Sequence, residues 1–411
     1  MISVAASDTA GIRAGLRRGQ RRNQAIAIGL VLPLFVFIVV TFIAPIGAML
    51  WHGVSDRDAA RILPRVTAAL AEWDGRDLPS ERAFAALIDD IRAAREAGNL
   101  ASAATRLNYD VNGFRTLMFA TARRLPADVQ GSPRAALAAI DPRWEVRETW
   151  AALRRAGGPV TDLYLLAALD LRRDADQAIV SAPADQAVFV DILIRTFTIA
   201  GVVTLICLVV GFPLAYLLAS LPARAANLML VFVLLPFWTS LLVRTAAWVV
   251  ILQREGVLNN FLIGLGMIGQ PLPMIFNRFA VYVAMVHILL PFMVLPLYSV
   301  MKNIPASHMR AATSLGATPY LAFRRVYLPQ TLPGIGAGAL MVFIQALGYY
   351  ITPALVGGAE DQMISYFVAF YASRTINWGM AAALSLMLLV ATMALYAVYN
   401  RLVGFERLRL G

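Results

Sequence analysis

The chain has 411 residues, of which 59% are hydrophobic and only 15% are charged, and its mean hydropathy is +0.66. Soluble globular domains carry about 25% charged residues, so this composition excludes an ordinary soluble protein and predicts one that crosses a lipid bilayer. The formal net charge of +11 does not indicate nucleic-acid binding here, because basic residues collect at the cytoplasmic ends of membrane helices.

Six apolar stretches are long enough to span a bilayer, which requires about 20 residues in a helix. They lie at about 25–50, 192–220, 228–252, 279–301, 334–356 and 379–402. The first stretch is longer than the roughly 7–15 apolar residues of a signal peptide, which favours an uncleaved helix. It follows a basic segment that contains Arg13, Arg17, Arg18, Arg21 and Arg22. The positive-inside rule therefore predicts that the tails at 1–24 and 403–411 are both cytoplasmic.

Residues 51–190 interrupt this pattern, because they are rich in Ala, Arg, Asp and Glu and contain no spanning run. Phe84, Leu87 and Ile91 would share one face of a helix, with Ser80 as its N-cap. The segment therefore predicts a small α-helical domain on the outer side of the membrane, since long loops cross regardless of their charge. Its role stays open between docking another protein and merely decorating the surface.

The chain contains a single lysine, Lys302, and that residue follows Met301. A phosphate-binding P-loop requires Gly-Lys followed by Ser or Thr, so the chain cannot form such a site. If ATP drives this protein, a partner subunit must bind it, and we expect no cofactor in this chain. The sequence also shows no nucleophile–base pair and no metal-ligand spacing, so we expect neither catalytic nor metal-binding residues.

Residues 303–333 form a polar connection between the fourth and fifth stretches. Ser307 is a candidate N-cap of a short helix. Ala311 and Ala312 give that helix a small-residue surface, which a groove on a partner can approach closely. Gly316 stands at the expected C-terminal stop, where a positive φ costs little only for glycine.

A second short helix is expected to begin at Thr318-Pro319 and to end before Pro329. The spacing of the whole segment resembles the EAA loop, through which an ATPase drives the membrane subunit of an ABC importer. The matching residues are Ala311, Ala312, Gly316, Val326, Leu328 and Pro329. Arg310 occupies the position where that family usually has Glu, so it cannot complete a capping box with Ser307. We therefore expect a differently charged ATPase surface, or a weaker contact, at this end of the helix.

Four further segments resemble the spermidine/putrescine-type permeases of binding-protein-dependent importers. They are residues 237–245, 253–256, 290–298 and 352–358. The resemblance extends over about 190–402 and implies an all-α membrane protein with the six-helix architecture of a type I ABC-importer permease, its core at 191–402. It also implies a bacterial inner-membrane location and three partners: a dimer of ABC ATPases, a second permease subunit and an extracytoplasmic solute-binding protein. Transport is then expected to work by alternating access.

Candidate residues of a translocation pathway or gate are Arg244, Tyr349, Tyr350 and Thr352. A charge within a span is costly, so Arg244 is expected to face a cavity, a gate or a partner subunit, and snorkelling to the membrane surface is the alternative. The two tyrosines follow Gly348, where the resembling permeases often read Gly-Glu-Phe. Their rings can receive an ammonium group by cation–π contact, and simple helix packing is the alternative.

The six stretches contain no Asp or Glu, and the ionisable side chains we expect within them are Arg244 and His287. Because a cation pathway is expected to include carboxylates, the solute stays open between a polyamine and another amino-acid-derived compound such as an opine. The lack of acids also argues against a proton-coupled carrier, although an ATP-independent carrier or channel is the alternative function. Gly334 and Gly338 permit close helix contact in the fifth stretch, but their spacing alone is a weak signal.

Overall fold

The computed structural model describes residues 20, 23–24 and 26–403, most of which are helical. The predicted cytoplasmic tails, 1–24 and 403–411, lie outside the described residues except at positions 20, 23, 24 and 403. Among the described residues, five helices are long and apolar enough to cross a membrane, or six spans are present if one bent pair counts as a single span.

The first membrane helix, α1 (Ile26–Trp51), is followed by a domain built mostly from short helices. These are α2 (Asp58–Ile62), α3 (Pro64–Ala71), α4 (Glu81–Glu96), α5 (Leu100–Asp110), α6 (Phe114–Arg124), α7 (Pro133–Ile140), α8 (Arg147–Arg155) and α9 (Leu163–Ala168). We call this domain, residues 51–190, the insert.

The insert has a hydrophobic core of its own, separate from that of the membrane helices. Phe84 and Trp150 lie fully buried in it with their ring centroids 4.3 Å apart. The Trp150 indole N–H donates to the Trp144 carbonyl oxygen at 2.8 Å, which satisfies the polar edge of a buried ring. The face predicted from Phe84, Leu87 and Ile91 is buried throughout, so the helical character of the insert is confirmed.

Two details of the insert differ from the sequence expectation. Ser80 does precede α4, but its side chain accepts no capping hydrogen bond from a described residue. An antiparallel hairpin of β1 (Leu171–Arg173) and β2 (Ile179–Ser181) closes the insert, although the sequence predicts no strand there. Strands of three residues are too short for an alternation of polar and apolar residues to stand out.

The second membrane helix begins where the insert ends, and further helices follow to residue 403. They are α10 (Phe189–Ser220), α11 (Ala223–Leu234), α12 (Leu241–Leu252), α13 (Val257–Gly264), α14 (Arg278–Lys302), α15 (Ala306–Ser314), α16 (Pro319–Ala322), α17 (Leu328–Gly348), α18 (Ile351–Val356), α19 (Ile364–Ser373) and α20 (Trp378–Val403). Helices α10, α14 and α17 pack on one another and form the centre of the membrane core. Helix α20 packs against α19 and against α9 of the insert.

Two glycines bring α17 close to α14. A Cβ atom on Gly338 would lie 2.9 Å from Met293 Sδ, and one on Gly334 would lie 3.1 Å from Val300 Cβ. Lipid tails supply no hydrophobic drive between helices, so helix association in a membrane depends on van der Waals contact of this kind. The predicted close contact at Gly334 and Gly338 is confirmed.

The third predicted span, 228–252, is not one straight helix. Helix α11 continues as a 3-10 turn, Leu235–Trp238, and the chain then bends by 96° into α12. The break follows from Pro236, which lacks an N–H donor, and from Ser240, which has an extended backbone. The first limb, Ala223–Trp238, is about 24 Å long at 1.5 Å per residue, short of a hydrocarbon core of about 30 Å. Neither limb by itself matches the single span that hydropathy predicts.

The fifth predicted span, 334–356, also has different bounds. Helix α17 begins at Leu328 and ends at Gly348, and the extended residue Tyr349 separates it from α18. Hydropathy counts apolar residues and does not detect a break in the hydrogen-bond ladder, so both helices were expected as one. The Tyr349 carbonyl oxygen accepts a hydrogen bond from Ser365 Oγ at 2.8 Å, which satisfies a backbone group that the break releases.

Tyr164 of α9 joins the insert to the membrane core. Its ring is buried against Gly379 of α20, where an added Cβ atom would collide with it. Its phenol donates to Asp56 Oδ2 at 3.3 Å, and Asp56 also pairs with the buried Arg106. Burial raises the pKa of the Tyr164 phenol, so this group stays a neutral donor.

A second link between the insert and the core is formed by Asp170. Its two carboxylate oxygens accept hydrogen bonds from the backbone N–H groups of Phe189 at 2.9 Å and Val190 at 2.8 Å. These N–H groups lie in the first turn of α10, where a helix offers no carbonyl partner. An acid of the insert therefore caps the second membrane helix.

We expect Gly379→Ala to loosen the junction, because the added methyl group collides with the Tyr164 ring. Overpacking costs about 1–3 kcal/mol, so amide hydrogen exchange in α9 should become about ten-fold faster. The matched control is Gly201→Ala in α10, where a Cβ atom meets nothing within 4 Å. Helix propensity favours Ala at both positions, so unchanged exchange in Gly379→Ala would contradict the proposed contact.

Candidate functional site

Helix α15 lies in the connection between α14 and α17, on the surface of the molecule. All nine residues of α15 are exposed or half-exposed, including Arg310, Ala311 and Ala312. The N-cap position is occupied by Pro305, so the prediction of an N-cap at Ser307 is wrong. Pro305 has a φ of −64°, the value that the proline ring imposes, and its extended ψ leads directly into the helix.

Gly316 terminates α15 in a Schellman motif. Its φ is +88°, its N–H donates to the Thr313 carbonyl oxygen at 3.0 Å, and the Ala317 N–H donates to the Ala312 carbonyl oxygen at 3.1 Å. This motif satisfies the last carbonyl groups of the helix and requires a left-handed residue, which is the stop predicted for Gly316. Beside it, the Leu315 side chain is 89% exposed.

The second half of the connection does not end before Pro329, as the sequence predicts. Thr318 caps α16 by accepting from the Leu321 N–H at 3.4 Å, and the helix then continues through a π-helical turn, Phe323–Tyr327, into α17. At this turn the Leu328 N–H donates to the Phe323 carbonyl oxygen, five residues back. The wider turn immediately before the proline relieves the clash that its ring makes with a preceding α-helical turn.

Aromatic contacts tie this connection to the near end of α10. The rings of Phe323 and Tyr327 stack at 5.5 Å, and Tyr216 of α10 meets Tyr327 edge-on at 5.4 Å and Phe323 edge-on at 5.9 Å. The π-helical turn is therefore in contact with α10 and continuous with α17. We call residues 303–327 the coupling segment.

A second group of candidate residues lies where α12 meets α18. Thr245 Oγ1 and Thr352 Oγ1 lie 3.2 Å apart, and both side chains are buried. This hydrogen bond places Thr352 next to the turn of α12 that carries Arg244. Thr352 and Arg244 are two of the four predicted pathway residues. They therefore lie in one region, although they are more than 100 positions apart in the chain.

Arg244 has an unusual environment for a cation. Its Nε and Nη1 atoms are buried and have no hydrogen-bond partner among the described residues. His287 is held by the Trp248 indole N–H, which donates to its Nδ1 at 3.2 Å, so His287 is a packed and hydrogen-bonded residue as expected. Arg244 as a whole is half-exposed, so its Nε and Nη1 donors are suited to an acceptor from outside the described residues.

The two tyrosines of the break between α17 and α18 differ in exposure. Tyr349 is half-buried against the membrane core, whereas Tyr350 is 41% exposed. Part of the Tyr349 side chain therefore packs between helices, which is the alternative role that the sequence left open for it. The ring of Tyr350 is accessible to a solute or to a partner.

The sequence interpretation missed a clamp at the end of the core near the insert. Arg195, omitted from the ionisable residues expected within the spans, lies in α10 and donates to the Glu360 carbonyl oxygen. Arg278 pairs with the buried Asp361 at 2.9 Å. These contacts fix the segment that precedes α19. The position of Arg195 only four residues after Asp191 was the signal that could have revealed an anchoring role.

Within the described residues, no three His, Cys, Asp or Glu side chains are grouped so as to hold a metal ion. The two sites offer surfaces for contact and hydrogen-bonding groups. The coupling segment offers a small-residue helix surface, and the α12–α18 region offers one cation, two hydroxyl groups and two aromatic rings.

A family described as "Binding-protein-dependent transport system inner membrane component" matches residues 211–405. The spermidine/putrescine transport system permease protein PotB of Escherichia coli K12 is 37% identical over 213 residues, which are 52% of this chain and 78% of PotB. The molybdenum transport system permease protein ModB of Mycobacterium bovis is 27% identical over 244 residues, which are 59% of this chain and 89% of ModB. A crystal structure of a bacterial alginate ABC transporter with its periplasmic protein is 17% identical, covers 53% of this chain and 78% of its own, and has a TM-score of 0.45.

The family match begins within α10, so α1 and the insert lie outside it. It covers the coupling segment and the α12–α18 region. The all-α type I permease architecture predicted from the sequence is confirmed, and so is a multi-pass inner-membrane location. The extent and identity of the match with PotB show that the chain belongs to the binding-protein-dependent inner-membrane family, the permeases of ABC importers.

Proposed function

We propose that this chain is one of two permease subunits in an ATP-driven importer of polyamines or of a related small amino-acid-derived solute. A dimer of ABC ATPases binds the ATP and engages α15 from the cytoplasm, and an extracytoplasmic binding protein delivers the solute. The observation that carries this proposal is the exposed α15, closed by the Schellman motif at Gly316 on the spacing of an EAA loop. Ser307, Arg310, Ala311, Ala312 and Gly316 are the proposed contact residues.

The distribution of charge supports cytoplasmic termini. The core from 191 to 402 has four acidic residues, Asp191, Glu255, Glu360 and Asp361, all at the end away from the coupling segment. About as many arginines as acidic residues lie at that end. The opposite end carries basic residues without acids among the described residues, namely Arg224, Lys302, Arg310, Arg324, Arg325 and Arg401. Basic residues are retained on the cytoplasmic side, so the coupling segment faces the cytoplasm and the insert faces outward.

The aromatic contacts of the coupling segment support alternating access. When ATP closes the ATPase dimer, α15 moves with it, and the π-helical turn carries this movement to α10 and α17. Those two helices and α14 form the centre of the core, so their reorientation changes which side of the membrane the pathway faces. Hydrolysis then resets the transporter.

The solute is proposed from relatives and from the α12–α18 region together. PotB is named for spermidine and putrescine and ModB for molybdenum, so family membership alone leaves the solute undetermined. The higher identity with PotB favours an amine. Tyr349 and Tyr350 can receive an ammonium group on their rings, and the buried Thr352 supports this region through its hydrogen bond to Thr245. Arg244 is proposed as a gate or subunit contact, in which an acceptor of the partner subunit meets its Nε and Nη1 groups, because a protonated polyamine offers donors only.

Purification of the tagged chain from its native membrane under mild conditions should recover an ABC ATPase and a second six-span permease. Proteoliposomes that contain this complex, with the binding protein outside and ATP inside, should accumulate labelled spermidine or putrescine. ATP-independent uptake by the chain alone would contradict the proposal and support a carrier or channel. ATP-driven uptake of a different solute would refute only the polyamine assignment.

Gly316→Val is expected to uncouple ATP hydrolysis from uptake. A left-handed conformation costs a β-branched residue roughly 1–2 kcal/mol, and the Schellman motif should open. Gly266→Val is the matched control, because Gly266 has a φ of +69° and, like Gly316, has no atom within 4 Å of an added Cβ. Uptake per ATP hydrolysed should fall about ten-fold in Gly316→Val and be retained in Gly266→Val. Equal coupling in both variants would refute the role of α15.

Arg244→Gln is expected to reduce uptake about ten-fold, since charge-assisted hydrogen bonds contribute about 1.5–3 kcal/mol. The control is Arg254→Gln, which removes the same charge from an exposed position ten residues along. Assembly with the partner subunits should be measured alongside uptake. Lost assembly would assign Arg244 to the subunit interface, lost uptake with normal assembly would assign it to the gate, and normal values of both would refute either role.

A further inference from the structure

A cavity of about 800 Å³ lies where the insert meets the ends of α1 and α20. It is walled by the connection from α1 to α2, by one face of α5, by Tyr164 of α9 and by the residues that lead into α20. The proposed transport function uses none of these residues.

The position of the cavity relative to the membrane is marked by two tryptophans. Trp51 is the last residue of α1 and Trp378 is the first of α20, and both line the cavity. Their side chains are 58% and 48% exposed. Tryptophan collects at the boundary between lipid and water, so the cavity lies at the level of the lipid headgroups.

The cavity has surplus positive charge. Arg57 and Arg61 both line it, are exposed and lie one helical turn apart, and neither is ion-paired with a described acidic residue. Arg106 and Asp56, also in the lining, neutralise one another as a buried pair. The single negative charge of Asp58, also in the lining, balances the charge of only one of the two arginines. The planar guanidinium group matches the oxygens of a phosphate in bidentate geometry.

The neighbouring surface of α1 is apolar and uncovered. Within the described residues, no side chain in the apolar part of α1 is buried, and Ile43 and Ile46 are each 55% exposed. Only the end of α1 next to the cavity, Ala44–Trp51, packs on α20. An acyl chain can therefore lie along α1 directly below the arginines.

We propose that this cavity binds the phosphate headgroup of a phospholipid from the leaflet next to the insert. Arg57 and Arg61 hold the phosphate, Trp51 and Trp378 flank the glycerol region, and the acyl chains lie along α1. The combination of free guanidinium groups, a tryptophan boundary and an uncovered apolar helix fits a lipid better than free phosphate. Bound lipid fills the space beneath the insert and stabilises its junction with α1 and α20.

The test measures phospholipid retained by the purified full-length protein, using native mass spectrometry after mild extraction. The wild type should retain a phospholipid. In an Arg57→Gln/Arg61→Gln variant the amount retained should fall about ten-fold, the change expected for the loss of a charge-assisted contact. The matched control is Arg123→Gln/Arg124→Gln, which removes two exposed arginines from α6 of the insert, outside the cavity. Ser102→Trp fills the cavity from the exposed face of α5 without removing charge, and should also displace the lipid.

Thermal stability of the delipidated protein distinguishes the sources of phosphate. Vesicles of phosphatidylglycerol or phosphatidylethanolamine should raise the unfolding temperature of the wild type and of the α6 control, and inorganic phosphate should not. Equal stabilisation by inorganic phosphate would overturn the assignment to lipid. Equal retention of phospholipid by the wild type and Ser102→Trp would overturn the site, even if the double arginine variant fails to fold.

Discussion

The close packing of α17 on α14 at Gly334 and Gly338 is the contact on which the membrane core depends. Because lipid does not drive helices together as water does, the approach of two backbones is the main source of cohesion there. The coupling segment connects these same two helices. Their separation therefore sets the position of α15, which lies between two closely packed helices of the core in the chain.

The end of α17 at Gly348 leads into the α12–α18 region. The helix ends at Gly348, and the chain resumes as α18, which the Thr245–Thr352 hydrogen bond fixes to α12. Backbone breaks at membrane depth persist only where protein or a cavity satisfies the released groups. The bend in the third membrane segment and the break at Tyr349 are therefore expected to face protein or a cavity, and Arg244 follows the bend with Nε and Nη1 groups that no described residue meets.

The insert has a hydrophobic core of its own and also packs on the membrane helices. It carries 18 arginines and 19 acidic residues, so it is nearly neutral, and the net positive charge of the chain comes from the membrane part and the tails. Its hydrophobic core around Trp150 is separate from that of the membrane helices, while Tyr164 packs on Gly379 of α20 and Asp170 caps α10. The junction therefore combines a shared apolar cluster with the hydrogen bonds of Asp170 to the first turn of α10.

The sequence determined the membrane class, the approximate positions of the spans and the coupling segment, because hydropathy and glycine and proline positions are local properties. The positive φ of Gly316 and the close contact of Gly334 and Gly338 follow directly from such signals. Local signals do not predict three other features: the end of α17 at Gly348, the 96° bend before α12, and the continuation of the helix through Pro329. Each of them depends on which neighbouring group satisfies the backbone groups that the irregularity releases. Only the tertiary structure could decide that Thr352 meets Thr245, that Arg195 clamps Glu360 and that Tyr164 fits against Gly379, because these residues are 100 or more positions apart in the chain.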